Sequence, residues 1–132
     1  MSTEENKALV WRAVDEVWNK KNIAVFEEYY AMGEVQEEWK RWISDELWVA
    51  FPDIQFSLER QIAEGDLVAS HFMLSATHLG PWRGIPPTGK RAIWPAVAID
   101  QIVDDKIVNH WSGPNFLHVA EQLGARIILD KA

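Results

Sequence analysis

Residues 50–62 read AFPDIQFSLERQI, and within them the chain changes period. Before this stretch apolar residues recur at helical spacing. After it, Ile54, Phe56, Leu58 and Ile62 alternate with Gln55, Ser57, Glu59 and Gln61, the pattern of a half-buried strand. Phe51-Pro52-Asp53 marks the boundary, because a proline disfavours helix at the residue before it. Everything upstream reads as helix and nearly everything downstream as antiparallel sheet. The fold class is therefore α+β, with helices on one face of a meander.

Upstream, Ser2 and Glu5 have capping-box spacing, which predicts a helix starting near Thr3. Val10, Ala13, Val14, Val17 and Trp18 form its apolar stripe, and the polar run 19–22 ends it. A short second helix is expected over 23–30. A third, over about 35–50, carries Trp39, Trp42, Ile43, Leu47 and Trp48 on one stripe. Downstream, Glu64-Gly65-Asp66 turns the first strand into a second over 67–79. The loop GPWRGIPPTGKR leads to a third over 91–103, and Asp104-Asp105 turns into a fourth over 106–112. A last short helix follows, with Asn115 as expected N-cap and Gly124 as its stop.

Bulk properties narrow the function. The 132 residues make one domain, and 48% hydrophobic content can form a real core. A net charge of -7 argues against a nucleic-acid partner, whose phosphates need a basic surface. With no cysteine there is neither thiol nucleophile nor Cys-ligated metal, and the four histidines lack metal spacing, so no metal is expected. No apolar run approaches the ~18 residues of a membrane span, and MSTEENKALVW lacks signal-peptide character; a cytoplasmic protein is the expectation. The segment 84–90, GIPPTGK, fits the first seven positions of a phosphate-binding loop. Arg91 stands where its Mg²⁺-binding hydroxyl belongs, and Pro86 and Pro87 offer no N–H to phosphate, so it reads as a rigid turn.

The segments AFPDIQF (50–56), IAEGDLVA (62–69), ATHLGPWRGIPPTGKR (76–91), DDKIVNHW (104–111) and QLGA (122–125) together resemble the SnoaL-like polyketide cyclases, of the nuclear-transport-factor-like superfamily. The resemblance implies a single-domain, cone-shaped α+β barrel: a curved, mainly antiparallel sheet wrapped around N-terminal helices, with a deep apolar pocket. It also implies a cofactor-free protein, commonly a homodimer, acting on or holding a hydrophobic ring-containing small molecule. The best-known members close an anthracycline ring by an intramolecular aldol reaction. Their base is an aspartate two residues after the histidine matching His110, and Ser112 stands there. Their assisting histidine falls at Ala98. A serine has no useful basicity near neutral pH, so the family's aldol base is missing.

If Ala98 and Ser112 face inward as their counterparts do, alternation sends Trp94, Asp100 and His110 inward too. Pairing Ala98 with Ser112 then sets Asp100 opposite His110, with Cβ atoms ~4.5–5.5 Å apart. Asp100 would orient the imidazole, and His110 would serve as general acid or base; the competing reading is a buried polar plug. Trp18 matches a pocket-lining aromatic of the family. Tyr30 is either a lid residue or a phenol able to hydrogen-bond an enolate oxygen. His78 falls at the expected pocket mouth, as a binding residue or a strand-end surface residue. Ile93, Val97, Ile99 and Trp111 fall on the convex face, where a homodimer would bury them. Three functions stay open: an isomerase-, cyclase- or dehydratase-type enzyme, a non-catalytic binder of a hydrophobic small molecule, and a dimeric interaction domain with a filled cone. A cavity of ~300 Å³ or more beside His110 and Asp100 would favour the first two.

Overall fold

A computed structural model describes residues 2–113 and 115–130. Helix α1 (Thr3–Ala13) starts at the expected capping box: Glu5 N–H donates to Ser2 Oγ at 3.1 Å, and Ser2 N–H to Glu5 Oε1 at 3.2 Å. It runs on as a π-helical segment, Val14–Asn19, and together they bury Leu9, Val10, Ala13, Val14, Val17 and Trp18. The wider π turn ends at Asn19, whose carboxamide behaves like a neighbouring strand. Its Oδ1 accepts from Phe56 N–H at 2.6 Å and its Nδ2 donates to Phe56 O at 3.0 Å.

Helix α2 (Phe26–Tyr29) follows a 3₁₀ turn, Ile23–Val25. Helix α3 (Gln36–Trp42) passes through a π segment, Ile43–Leu47, into α4 (Trp48–Ala50), so one helical stretch covers the expected 35–50. Four strands follow: β1 (Gln55–Glu64), β2 (Leu67–Thr77), β3 (Arg91–Val103) and β4 (Lys106–Gly113). They form one antiparallel meander in the order β1-β2-β3-β4. Curved around the helices, the sheet gives the expected cone. It is an open sheet, not a closed barrel.

Two bulges break simple alternation. In β1, Leu58 pairs with Phe72 but Arg60 with His71, so Glu59 is extra. The slip turns Ile62 to the convex side, 69% exposed, and corrects the expectation that it shares a face with Phe56 and Leu58. In β4, Gln101 pairs with Asn109 but Ile102 with Ile107, so Val108 is extra. Fully buried Ile107 and cavity-facing His110 thus share the concave face despite an odd separation. Ile107 O also accepts from Ala31 N–H at 2.9 Å, which fixes the chain just after α2 against this strand.

The convex face carries a row set by register: Ile62, Ala69, Ile99 and Trp111 lie side by side across all four strands. Ile93, Val97, Ile99 and Trp111 are 52%, 49%, 40% and 52% exposed. Beyond the reach of β4, Gln122 of α5 (Phe116–Gln122) accepts from Ile93 N–H at 2.7 Å and donates to Ile93 O at 2.8 Å. Asn115 is not the expected side-chain cap. It sits in the left-handed region (φ 52°) with no cap hydrogen bond, and only its carbonyl joins the helix by accepting from Val119 N–H. Gly124 at φ +99° does stop the helix.

The β2–β3 loop is held at both ends. Strand β2 stops at Thr77, two residues before the expected end, because the N–H groups of Leu79 and Gly80 turn away to Ala50 O. Trp82 and Ile85 exchange backbone bonds at 3.0 and 2.8 Å across Arg83 and Gly84, both at positive φ, which makes a tight two-residue turn. Strand, not helix, follows Lys90, as the rejection of a phosphate loop requires.

Candidate active site

Concave side chains from the π segment Val14–Asn19, α3 and the sheet line a cavity of about 110 Å³. That is well below the ~300 Å³ lower bound of common ligand pockets, and near the size of cavities that hold one benzene-sized ring. Its floor is Asp100 and His110. The register is the expected one: Ala98 pairs with Ser112 and Asp100 with His110. Asp100 Oδ1 lies 2.7 Å from His110 Nδ1, with side-chain exposures of 4% and 19%. An ionised carboxylate only accepts, so beside one Nδ1 is the donor and Nε2 is the ring nitrogen outside the pair.

An aromatic cage stands over this pair. The Trp39 ring lies 4.9 Å from the His110 ring, tilted by 32°, placing a π face against the imidazole. Trp39 also meets Tyr30 edge-on at 5.4 Å and Trp18 at 5.5 Å. Trp18 Nε1–H donates to Tyr30 Oη at 3.0 Å. Tyr30 is 3% exposed, and burial, reinforced by the Asp100 charge, pushes its phenol far above the usual range, so it stays protonated.

Of the residues singled out in the sequence, Trp18, Tyr30, Trp94, Ala98, Asp100, His110 and Ser112 all reach the cavity, Ser112 from an exposed position. His78 does not. It is fully buried beneath the β2–β3 loop, so neither a pocket-mouth nor a surface position describes it. Its Nδ1 accepts from Thr88 N–H at 3.2 Å, its ring packs on Phe51, and Nε2 has no partner among the described residues. The reason is local: Gly89 N–H and Lys90 O bond the His78 backbone and fold the loop over it.

Burial lowers the His78 pKa below its ordinary 6.5. The unfolded chain therefore binds this proton more readily than the folded one. Stability should be fully present above about pH 6.5 and decline as pH falls toward the folded pKa. His78→Asn keeps an acceptor for Thr88 and should shrink the loss in urea midpoint between pH 7.5 and 5.0; an unchanged loss would remove His78 as its source.

The sequence leaves open whether Trp39, Trp42 and Trp48 fill the core or line the pocket, and the structure puts Trp39 and Trp42 on the cavity wall. Their stripe looks the same whether it fills a core or lines a void. Trp48, on the same stripe, does not reach the cavity and buries its indole N–H without a partner among the described residues. Among the described residues, no three His, Cys, Asp or Glu side chains come together as a metal site, and no helix is long and apolar enough to cross a membrane.

An open, curved antiparallel sheet around N-terminal helices, with a part-buried Asp–His pair facing an apolar cavity, defines the cone-shaped α+β class. The profile of the SnoaL-like polyketide cyclase family matches residues 8–123, and the chain belongs to that family. It is 35% identical over 75 residues to nogalonic acid methyl ester cyclase of Streptomyces nogalater, a match spanning 52% of this chain and 56% of that enzyme. AclR from Streptomyces galilaeus, a proposed hydroxylase, superposes with a TM-score of 0.82 at 28% identity, over 98% of this chain and 87% of its own. A proposed polyketide cyclase from Acidithiobacillus ferrooxidans superposes with 0.79 at 25% identity, over 93% and 97%.

Proposed function

We propose that the chain is a cofactor-independent acid–base enzyme, of isomerase, cyclase or dehydratase type, for a hydrophobic ring-containing molecule. The observation that carries this is the 2.7 Å Asp100–His110 contact at the floor of an apolar cavity. Asp100 fixes the tautomer, leaving Nε2 to take a proton from a carbon acid in a site where little water competes. Ser112 and Ala98, at the positions of the family's aldol base and its helper, do neither job. Acetophenone, a one-ring ketone, tests this without knowledge of the natural substrate. The protein should speed deuterium uptake into its methyl group in D2O. His110→Gln, whose amide can still donate to Asp100 but is not a base, should slow the catalysed exchange about 10²-fold or more. Equal exchange by both proteins overturns the reading.

Ser112 and Ala98, in place of the family's base and its helper, favour a second reading, a binder without chemistry, in which wild type takes up the ketone but exchanges no deuterium.

The convex row supports a homodimer formed sheet to sheet, since a free monomer would leave Ile93, Val97, Ile99 and Trp111 in water. Light scattering should give a dimer at micromolar concentration, and Trp111→Lys a monomer. A monomeric wild type would refute this assembly.

A further inference from the structure

One donor in the cavity is unspent. A phenol has one hydrogen to give and two lone pairs. Tyr30 Oη uses a lone pair on Trp18 Nε1–H, and among the described residues nothing accepts the Tyr30 hydrogen. A buried donor left unmade costs about 1–3 kcal/mol, yet the fold holds this one rigidly. Phe26 stacks on the ring at 4.4 Å, Trp39 meets it edge-on, and the Tyr30 backbone bridges to Ile107 of β4. By occupying one side of the oxygen, Trp18 leaves the hydrogen to turn into the cavity, which Tyr30 shares with His110.

We propose that Tyr30, positioned by Trp18, is the hydrogen-bond donor to a substrate carbonyl, so that the site takes an enolisable ring ketone or ester. The proposal rests on the reading of His110 as base for its proton step, but the carbonyl contact stands separately. His110 Nε2 removes the proton α to the carbonyl. The C–H electron pair becomes the new carbon–carbon π bond, and the carbonyl π pair moves onto oxygen. Tyr30 keeps its proton and hydrogen-bonds that oxygen more strongly as negative charge builds. Return of that proton from His110 to carbon completes an isomerisation; attack by the enolate carbon on a second carbonyl, whose π pair moves to its oxygen and takes the proton back from His110, completes a ring closure. The phenol suits the task because burial and the Asp100 charge hold it protonated.

The test is the infrared C=O stretch of bound carbonyl-¹³C acetophenone, with toluene binding as a check that the apolar cavity is intact. In wild type the band should lie below its position in an alkane solvent. In Tyr30→Phe it should return toward that position, with toluene binding kept and α-deuteration slowed about 10²-fold. Trp18→Phe should give a smaller, broader shift. The double variant Tyr30→Phe/Trp18→Phe, which leaves no orphan N–H, should match Tyr30→Phe and guards against misfolding. A band at the same position in wild type and Tyr30→Phe overturns the proposal. A shifted band in wild type with no deuteration by any variant sinks the base and keeps the donor. Failure of the wild type to bind either ring overturns both.

Discussion

His110→Ala should be among the most destabilising single substitutions in this protein, costing about 3–5 kcal/mol, while His110→Gln should cost far less. The asymmetry comes from Asp100. Its side chain is 4% exposed, and the His110 ring is the one side chain among the described residues that hydrogen-bonds it. Truncation to alanine removes that hydrogen bond and leaves a carboxylate with almost no access to solvent on the wall of an apolar cavity. Glutamine can place an N–H near the position of Nδ1 and keep the acceptor satisfied. Urea unfolding of the two variants measures the difference. Equal costs would mean that lost ring packing, not the stranded charge, dominates. The result also guards the deuterium-exchange test, which needs a folded protein without the base.

Gly80→Ala should cost about 3 kcal/mol, the upper end for inserting atoms into a filled space. A Cβ on Gly80 would lie 2.2 Å from Val49 O, with Val49 C at 2.8 Å behind it. Both obstacles are backbone. They cannot rotate aside, because Ala50 O, one residue on, receives the N–H groups of Leu79 and Gly80. The contact joins the end of α4 to the start of the β2–β3 loop. Relief would therefore have to lift the loop off Phe51 and His78. Gly84→Ala is the control for space: nothing lies within 4 Å there, so its cost should come only from the strained φ of +80°. If the two variants unfold alike, the close approach is not the cause.

Much of this arrangement was legible in the sequence because it depends on period and local chemistry. The capping box at Ser2, the change of period after Phe51, and the turns at Gly65 and Asp104-Asp105 are short-range signals, and each appears where expected. The Asp100–His110 pairing was legible for a different reason. It needed only a register, and the family's inward-facing positions at Ala98 and Ser112 supplied one. What escaped reading depends on contacts distant in sequence. The bulges at Glu59 and Val108 insert a residue without any glycine to mark them, and so Ile62 was given the wrong face. His78 belongs to a strand end, but the fold of residues 79–90 back over it decides its burial. Trp39 and Trp48 carry the same side chain on the same helical stretch. Only the position of β4 makes one of them a neighbour of His110.

The open sheet also shows how an unclosed cone avoids recruiting further strands. On the outer edge of β1, the Asn19 carboxamide occupies both backbone groups of Phe56. Where β3 runs past the end of β4, Gln122 does the same to Ile93. Two residues on, Pro95 comes up on the same side with no N–H to offer. An incoming strand would meet a filled rung and then a missing one. The sheet can thus keep a wide apolar outer face, suited to a flat partner, while its exposed margins resist edge-to-edge growth into fibrils.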